Sequence, residues 1–153
     1  MSEKPYKESL RVALASDHAG LALKDELKAL LARLKIDATD LGTNSSASVD
    51  YPDFAHALAK GVADKRFDAG ILVCGTGIGM SIAANRHPEI RAALCTDPYS
   101  ARMTRLHNDA NVLCLGARVI GGGLAEEIVS AFFTTSFEGG RHAARVAKLN
   151  QGK

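Results

Sequence analysis

Five short apolar runs, each followed by a stretch of helical periodicity, constrain the fold of this chain more than any other feature. The runs are Leu10 to Ala15, a weaker Ala38 to Leu41, Ala69 to Val73, Ala92 to Cys95 and Val112 to Leu115. Between the first two, leucines at 23, 27, 30, 31 and 34 trace one face of a helix over 19–34. Pro52 suits the first turn of a helix reaching about Lys65, and further helices are predicted from Met80 to near His87-Pro88, Pro98 to Leu106, Leu124 to Phe133, and from Arg141 onward. Apolar strands separated by helices imply a parallel sheet covered on both faces. The class is therefore α/β, a three-layer α/β/α sandwich around a five-stranded parallel sheet. With 153 residues and 46% hydrophobic composition, residues 10–153 are expected to form one domain, preceded by a polar extension over 1–9.

Ligands on such sheets bind beyond the carboxyl ends of the strands. The residues that follow the runs are Asp17-His18, Gly42 to Asp50, Cys74 to Gly79, Asp97 and Gly116 to Arg118. Among these, Cys74-Gly75-Thr76-Gly77-Ile78-Gly79 is the most informative. It sets a thiol at a strand end, then glycines that let backbone approach an anion, then a helix start. Such surroundings favour a thiolate, so Cys74 reads as a nucleophile or base beside an oxyanion hole, against the alternative of an inert core cysteine. A dinucleotide loop fits less well. Its G-x-G-x-x-G follows a first strand, whereas this G-x-G-x-G follows the third, although Asp97 stands at a suitable distance.

Other polar residues carry two readings each. Asp17 is either a helix cap or a ligand to substrate, and His18 adds nothing to the apolar face of its helix. His107-Asn108 ends the fourth helix, where a histidine complements the dipole or serves acid–base chemistry near neutral pH. Arg141 and Arg145, four residues apart after Gly139-Gly140, share one helix face. They form either a solvated face or a phosphate grip, with Arg118 as a third cation.

A net charge of +2 argues against a nucleic-acid surface. Cys95 and Cys114 lie in apolar runs, and no C-x-x-C spacing marks a zinc site, so reduced thiols in a cytoplasmic protein are expected and no metal. No apolar stretch is long enough for a membrane span, and the polar start does not resemble a signal peptide.

Taken together, Ser16-Asp17-His18-Ala19-Gly20, Asp50-Tyr51-Pro52, Cys74 to Gly79, Ser81-Ile82-Ala83-Ala84-Asn85, Pro98-Tyr99-Ser100-Ala101, His107-Asn108 and Glu138-Gly139-Gly140-Arg141-His142 resemble the type B ribose-5-phosphate isomerases. The wider family includes galactose- and allose-6-phosphate isomerases, and the resemblance runs from about Leu10 to Asn150. It implies a Rossmann-like sheet and an aldose–ketose isomerase acting on ribose 5-phosphate and ribulose 5-phosphate through a cis-enediolate. By resemblance, Cys74 is the base and His107 opens the sugar ring. Backbone N–H groups of Gly75, Gly77, Ile78 and Gly79 hold the enediolate oxygen. Thr76 and Asn108 help position hydroxyls, Asp17 orients the sugar, and Tyr51 walls the pocket. His18, Arg118, Arg141 and Arg145 take the phosphate. One branch of the family replaces the cysteine by a glutamate four positions later. Ile78 stands there in this chain, which places it with the cysteine branch. The resemblance further implies no metal or organic cofactor, and a homodimer or homotetramer in which His107 completes the neighbouring subunit's site. A hexose 6-phosphate isomerase on the same site, or a phosphosugar-binding protein without chemistry, are the competing functions.

Overall fold

The structure, a computed structural model, describes residues 4–152. Its five strands are β1 (Arg11–Ser16), β2 (Asp37–Asp40), β3 (Ala69–Cys74), β4 (Ala92–Leu94) and β5 (Val112–Gly116). The helices are α1 (Leu21–Arg33), α2 (Tyr51–Ala63), α3 (Ile78–Ala84), α4 (Pro98–Asn108), α5 (Gly122–Phe133) and α6 (Arg141–Leu149). A single 3-10 turn over His18–Gly20 leads into α1. All strand pairings are parallel, in the order β2-β1-β3-β5-β4. The fold class read from the sequence is the one observed.

Alternate side chains of the central strands split the core into two halves. Val12, Leu14, Ile71, Val73, Leu113 and Leu115 pack with the leucines of α1 and with Ile128, Val129, Phe132 and Phe133 of α5. Ala13, Ala15, Leu72, Cys74, Val112 and Cys114 face the other way, against Leu58 and Val62 of α2 and Met80 of α3. β1 and β2 are joined through α1, while the β2–α2–β3 crossover steps over β1 on the opposite face. The ends of β1 and β3 therefore flank the switch point of the sheet, where a ligand crevice belongs.

The differences from the predicted elements have local causes. β2 and β4 are edge strands and stay exposed or half-buried, so their apolar signal is weak. α3 stops at Ala84 rather than near His87 because the Asn85 carboxamide leaves the helix to pair with Ala92 (Ala92 N to Oδ1 2.8 Å, Nδ2 to Ala92 O 3.0 Å). α4 starts where expected, its cap being Asp97 Oδ1 accepting from Ser100 N at 2.7 Å. It runs on to Asn108 and ends at a left-handed Asp109 (φ +48°).

The extension is anchored where it is described. Tyr6 N donates to Phe133 O (2.7 Å), and the Arg105 guanidinium lies 4.0 Å over the Tyr6 ring.

Candidate active site

The carboxyl edge of the sheet is shaped around Cys74. Its thiol is buried on the α2–α3 face, and Sγ accepts a hydrogen bond from Gly77 N at 3.1 Å. That bond fixes the sulfur toward the loop. Gly77 can point its N–H back at the sulfur because its backbone is left-handed (φ +79°). A side chain there would also come within 2.8 Å of the Leu115 carbonyl carbon.

The rest of the loop is equally closely held. The β5–α5 turn clamps it, with Ala117 N donating to Cys74 O (2.9 Å) and Arg118 N to Gly75 O (3.0 Å). The Arg118 guanidinium lies over Gly75, and the Tyr51 ring rests on Gly79, where any Cβ would sit 2.5 Å from its Cε2 and Cζ. Thr76 Oγ1 accepts from Ile78 N at 3.2 Å, which leaves the hydroxyl proton available to a ligand.

Beside this loop, Asp17 Oδ1 accepts from Ala19 N (3.0 Å) and Gly20 N (3.2 Å), so the capping role holds for that oxygen. His18 Nδ1 accepts from Val49 N at 3.2 Å. The neutral ring is thereby fixed with its proton on Nε2, as a donor. Loop 42–50, which supplies Val49, is pinned from beneath by a wholly buried lysine. Lys24 Nζ reaches Asp40 Oδ1 (2.6 Å), Thr43 O (2.6 Å) and Asn44 Oδ1 (3.2 Å).

The amino edge carries a second group of polar residues. α4 runs from the carboxyl edge to the amino edge, about 16 Å for its 11 residues. His107 and Asn108 therefore end on the opposite side of the sheet from Cys74. There the His107 and His142 rings stack, with centroids 4.3 Å apart and planes inclined by 17°. Glu138 Oε2 lies 4.0 Å from His107 Nε2 and 3.8 Å from His142 Nε2. Glu138 N donates to Leu106 O (3.1 Å), which fixes the segment before α6 onto the end of α4. A shallow cavity of about 260 Å³ is lined by His107, Asn108, His142, Arg145, Val146 and Leu149. Burial, and then the neighbouring His107, push His142 below the usual imidazole pKa.

The two remaining thiols are core. Burial, with the charge of Asp97 added, pushes Cys95 up to about 11, and burial raises Cys114 further.

The sequence profile of the Ribose/Galactose Isomerase family matches residues 12–149. The chain is 48% identical to ribose-5-phosphate isomerase B of Escherichia coli strain K12 over 139 residues, 91% of this chain and 93% of the relative. A solved Clostridium thermocellum ribose-5-phosphate isomerase B superposes with a TM-score of 0.91 at 48% identity, covering 93% of this chain and 96% of that one. A Thermotoga maritima ribose 5-phosphate isomerase gives 0.90 at 49% identity, with 93% and 98% covered.

This chain belongs to the ribose/galactose isomerase family.

Within this isomerase, the structure gathers Asp17, His18, Tyr51, Cys74 to Gly79 and Arg118 at the carboxyl edge. It sets His107, Asn108, Arg141 and Arg145 at the other. The expectation from strand ends alone, a site on one edge, thus covers ten of the fourteen residues singled out and misses His107, Asn108, Arg141 and Arg145. Sequence reasoning gave no role to Glu138, His142 or Lys24. The i, i+4 spacing of Glu138 and His142 was visible, but the Gly139-Gly140 turn hid that both would reach His107. Lys24 occupies a polar slot in a leucine-rich helix, and nothing local marks it as buried. Among the described residues no helix is long and apolar enough to cross a membrane.

Proposed function

We propose that this isomerase interconverts D-ribose 5-phosphate and D-ribulose 5-phosphate by proton transfer through a cis-enediolate. The observation that carries the reading is the Cys74 thiol, buried at the end of a central strand and accepting from Gly77 N. Cys74 takes the proton from C2 of the open-chain aldose and returns it to C1, while the O2 hydroxyl proton passes to O1 so that C2 becomes the carbonyl. As the C2 proton leaves, negative charge grows on the O1 oxygen. The loop N–H groups from Gly75 to Gly79 meet that charge without reorganising. Acid–base transfer of this kind contributes about 10²- to 10⁴-fold in rate. Thr76 and Asp17 orient hydroxyls, and Tyr51 closes the wall at Gly79.

His107 protonates the ring oxygen and draws the proton from the anomeric hydroxyl, which opens the furanose. It lies too far from Cys74 to serve the same substrate within one chain. The working site is therefore composed from two copies, in a homodimer or a pair of dimers. One copy gives the Cys74 loop, His18 and Arg118, and the other gives His107, Asn108, Arg141 and Arg145. Support for a second copy comes from apolar side chains left open beside the loop: Ile78 and Ile82 on α3 are 51% and 55% exposed. An arginine from each side makes a fork for the phosphate.

The catalytic unit is residues 10–153, with 1–9 as an extension outside the chemistry. Three unbonded thiols suit a reducing cytoplasm. The test is to incubate the purified chain, without added metal, with ribose 5-phosphate and separately with allose 6-phosphate, and to quantify ketose. Fast conversion of the pentose is expected. Conversion of the hexose alone would overturn the substrate, and conversion of neither would overturn the reaction.

A further inference from the structure

His142 presents an anomaly that the isomerase reaction does not use. The residue is 4% exposed, and its Nε2 has no hydrogen-bond partner. An imidazole nitrogen withdrawn from water without a partner is costly. It faces two other donors. Ligand atoms of His107, Glu138 and His142 all lie within 4.8 Å of one another.

We infer that His107, Glu138 and His142 form a binding site for a zinc-class divalent cation, and that its occupancy switches the isomerase off. Two imidazoles and one carboxylate are the donor set of zinc sites that keep a fourth position open. Magnesium and calcium prefer all-oxygen shells and are poorly served here. Bonds of about 2.0–2.1 Å to one tetrahedral ion need donors about 3.3 Å apart. Glu138 Oε2, at 4.0 and 3.8 Å from the two nitrogens, has well under an ångström to close. Its side chain is 56% exposed and free to make that movement. The Gly139-Gly140 turn carries Glu138 and His142 on its two sides, so Glu138 can swing in without disturbing α4, while the stacked rings, inclined by 17°, must turn about their side-chain bonds to aim both Nε2 lone pairs at one ion. The open position would face the cavity lined by Asn108 and Arg145. The Arg145 guanidinium opposes a cation and favours an anion as the fourth ligand, so binding will be weaker than in closed structural sites.

The ion uses the lone pair of His107 Nε2. On the function proposed above, it therefore blocks ring opening while leaving Cys74 untouched. The binding itself does not depend on that function.

The experiment titrates untagged, chelator-treated full-length chain with Co²⁺ alone, reading visible d–d absorption, and then displaces it with Zn²⁺. One ion per chain is expected. His142→Asn and Glu138→Gln should each weaken binding at least tenfold, and Cys74→Ser should not change it. Because Glu138 is exposed, its substitution tests the site without threatening the fold. Saturation unchanged in both variants, loss of binding in Cys74→Ser, or equal competition by Mg²⁺ would each overturn the site. In a parallel assay Zn²⁺ should abolish ketose formation, a chelator should restore it, and Glu138→Gln should need at least tenfold more Zn²⁺. Binding without inhibition would overturn the switch and leave the metal site standing. An absence of basal activity would instead fault the proposed reaction, and the Co²⁺ titration would still decide the site.

Discussion

The two ends of the sheet are made of different materials. At the carboxyl edge, backbone does the positioning: glycine-loop N–H groups and carbonyls fix Cys74 and Arg118, and the lysine beneath loop 42–50 is wholly buried. At the amino edge, side chains on helix ends do it, and His107 and Glu138 are 41% and 56% exposed. A base that must meet a carbon-bound proton gains from the rigid end, since small misplacements are expensive in rate. A group that opens a ring, or captures an ion, tolerates the adjustable one. The contrast also suits the composite site proposed above, in which each copy contributes one half.

The largest effect should come from the rigid end. Cys74→Ala is expected to cut turnover by about 10³-fold or more while phosphosugar binding persists, measured by initial rates and calorimetry. Unchanged turnover would remove the thiol from the chemistry. Mixing Cys74→Ala with His107→Asn chains, unfolding and refolding them together, should restore about a quarter of wild-type activity. Half of randomly assorted dimers are mixed, and each has one intact site of two. No recovery would mean that the half-sites do not combine across copies.

At the adjustable end, His107→Asn alone should slow the cyclic substrate by about 10²-fold. An open-chain substrate should suffer much less, and an equal loss with both would break the division of labour.

Smaller effects concern stability. Lys24→Met leaves Asp40 and the Thr43 carbonyl without their buried partner and should cost about 3 kcal/mol in denaturant unfolding. It should also raise KM, because loop 42–50 holds His18.

The amino-edge counterpart is Asp68, which bonds to Arg11 N (2.8 Å) and Nε (3.2 Å) and also pairs with Lys7. Burial raises its pKa, but the Arg11 and Lys7 bonds outweigh it and hold the carboxyl at about 2. A depressed carboxyl stabilises the fold above its unfolded value of about 3.9, and that contribution fades as pH falls toward 2. Asp68→Asn should thus cost on the order of 1–2 kcal/mol at neutral pH, reduced by the half-exposed partners. The gap to wild type should close between about pH 4 and pH 2, as followed by circular dichroism. A gap that stayed constant across that range would mean the ion pairs contribute nothing.

Legibility followed the same division. The central strands were readable because they are buried on both faces, and Cys74 to Gly79 because backbone chemistry demands glycine at fixed positions. The end of α3 was not, since Asn85 exchanges a helical role for bonds to Ala92, which opens the next strand seven residues on. Lys24 was hidden for a like reason: its partners Asp40, Thr43 and Asn44 come from another segment. His107 and Arg145 were identifiable as residues, but spacing could not say which edge they occupy. Only the direction of α4 decides that.

On the composite site proposed above, with His107 a sheet's length from Cys74, catalysis becomes a function of how crowded the chain is. Below the dissociation constant of the pair, the number of complete sites falls with the square of protein concentration. A sugar phosphate that bridges both halves pulls the equilibrium back toward the assembled form. On that reading substrate acts as a glue as well as a reactant, and dilution switches the enzyme off without unfolding it.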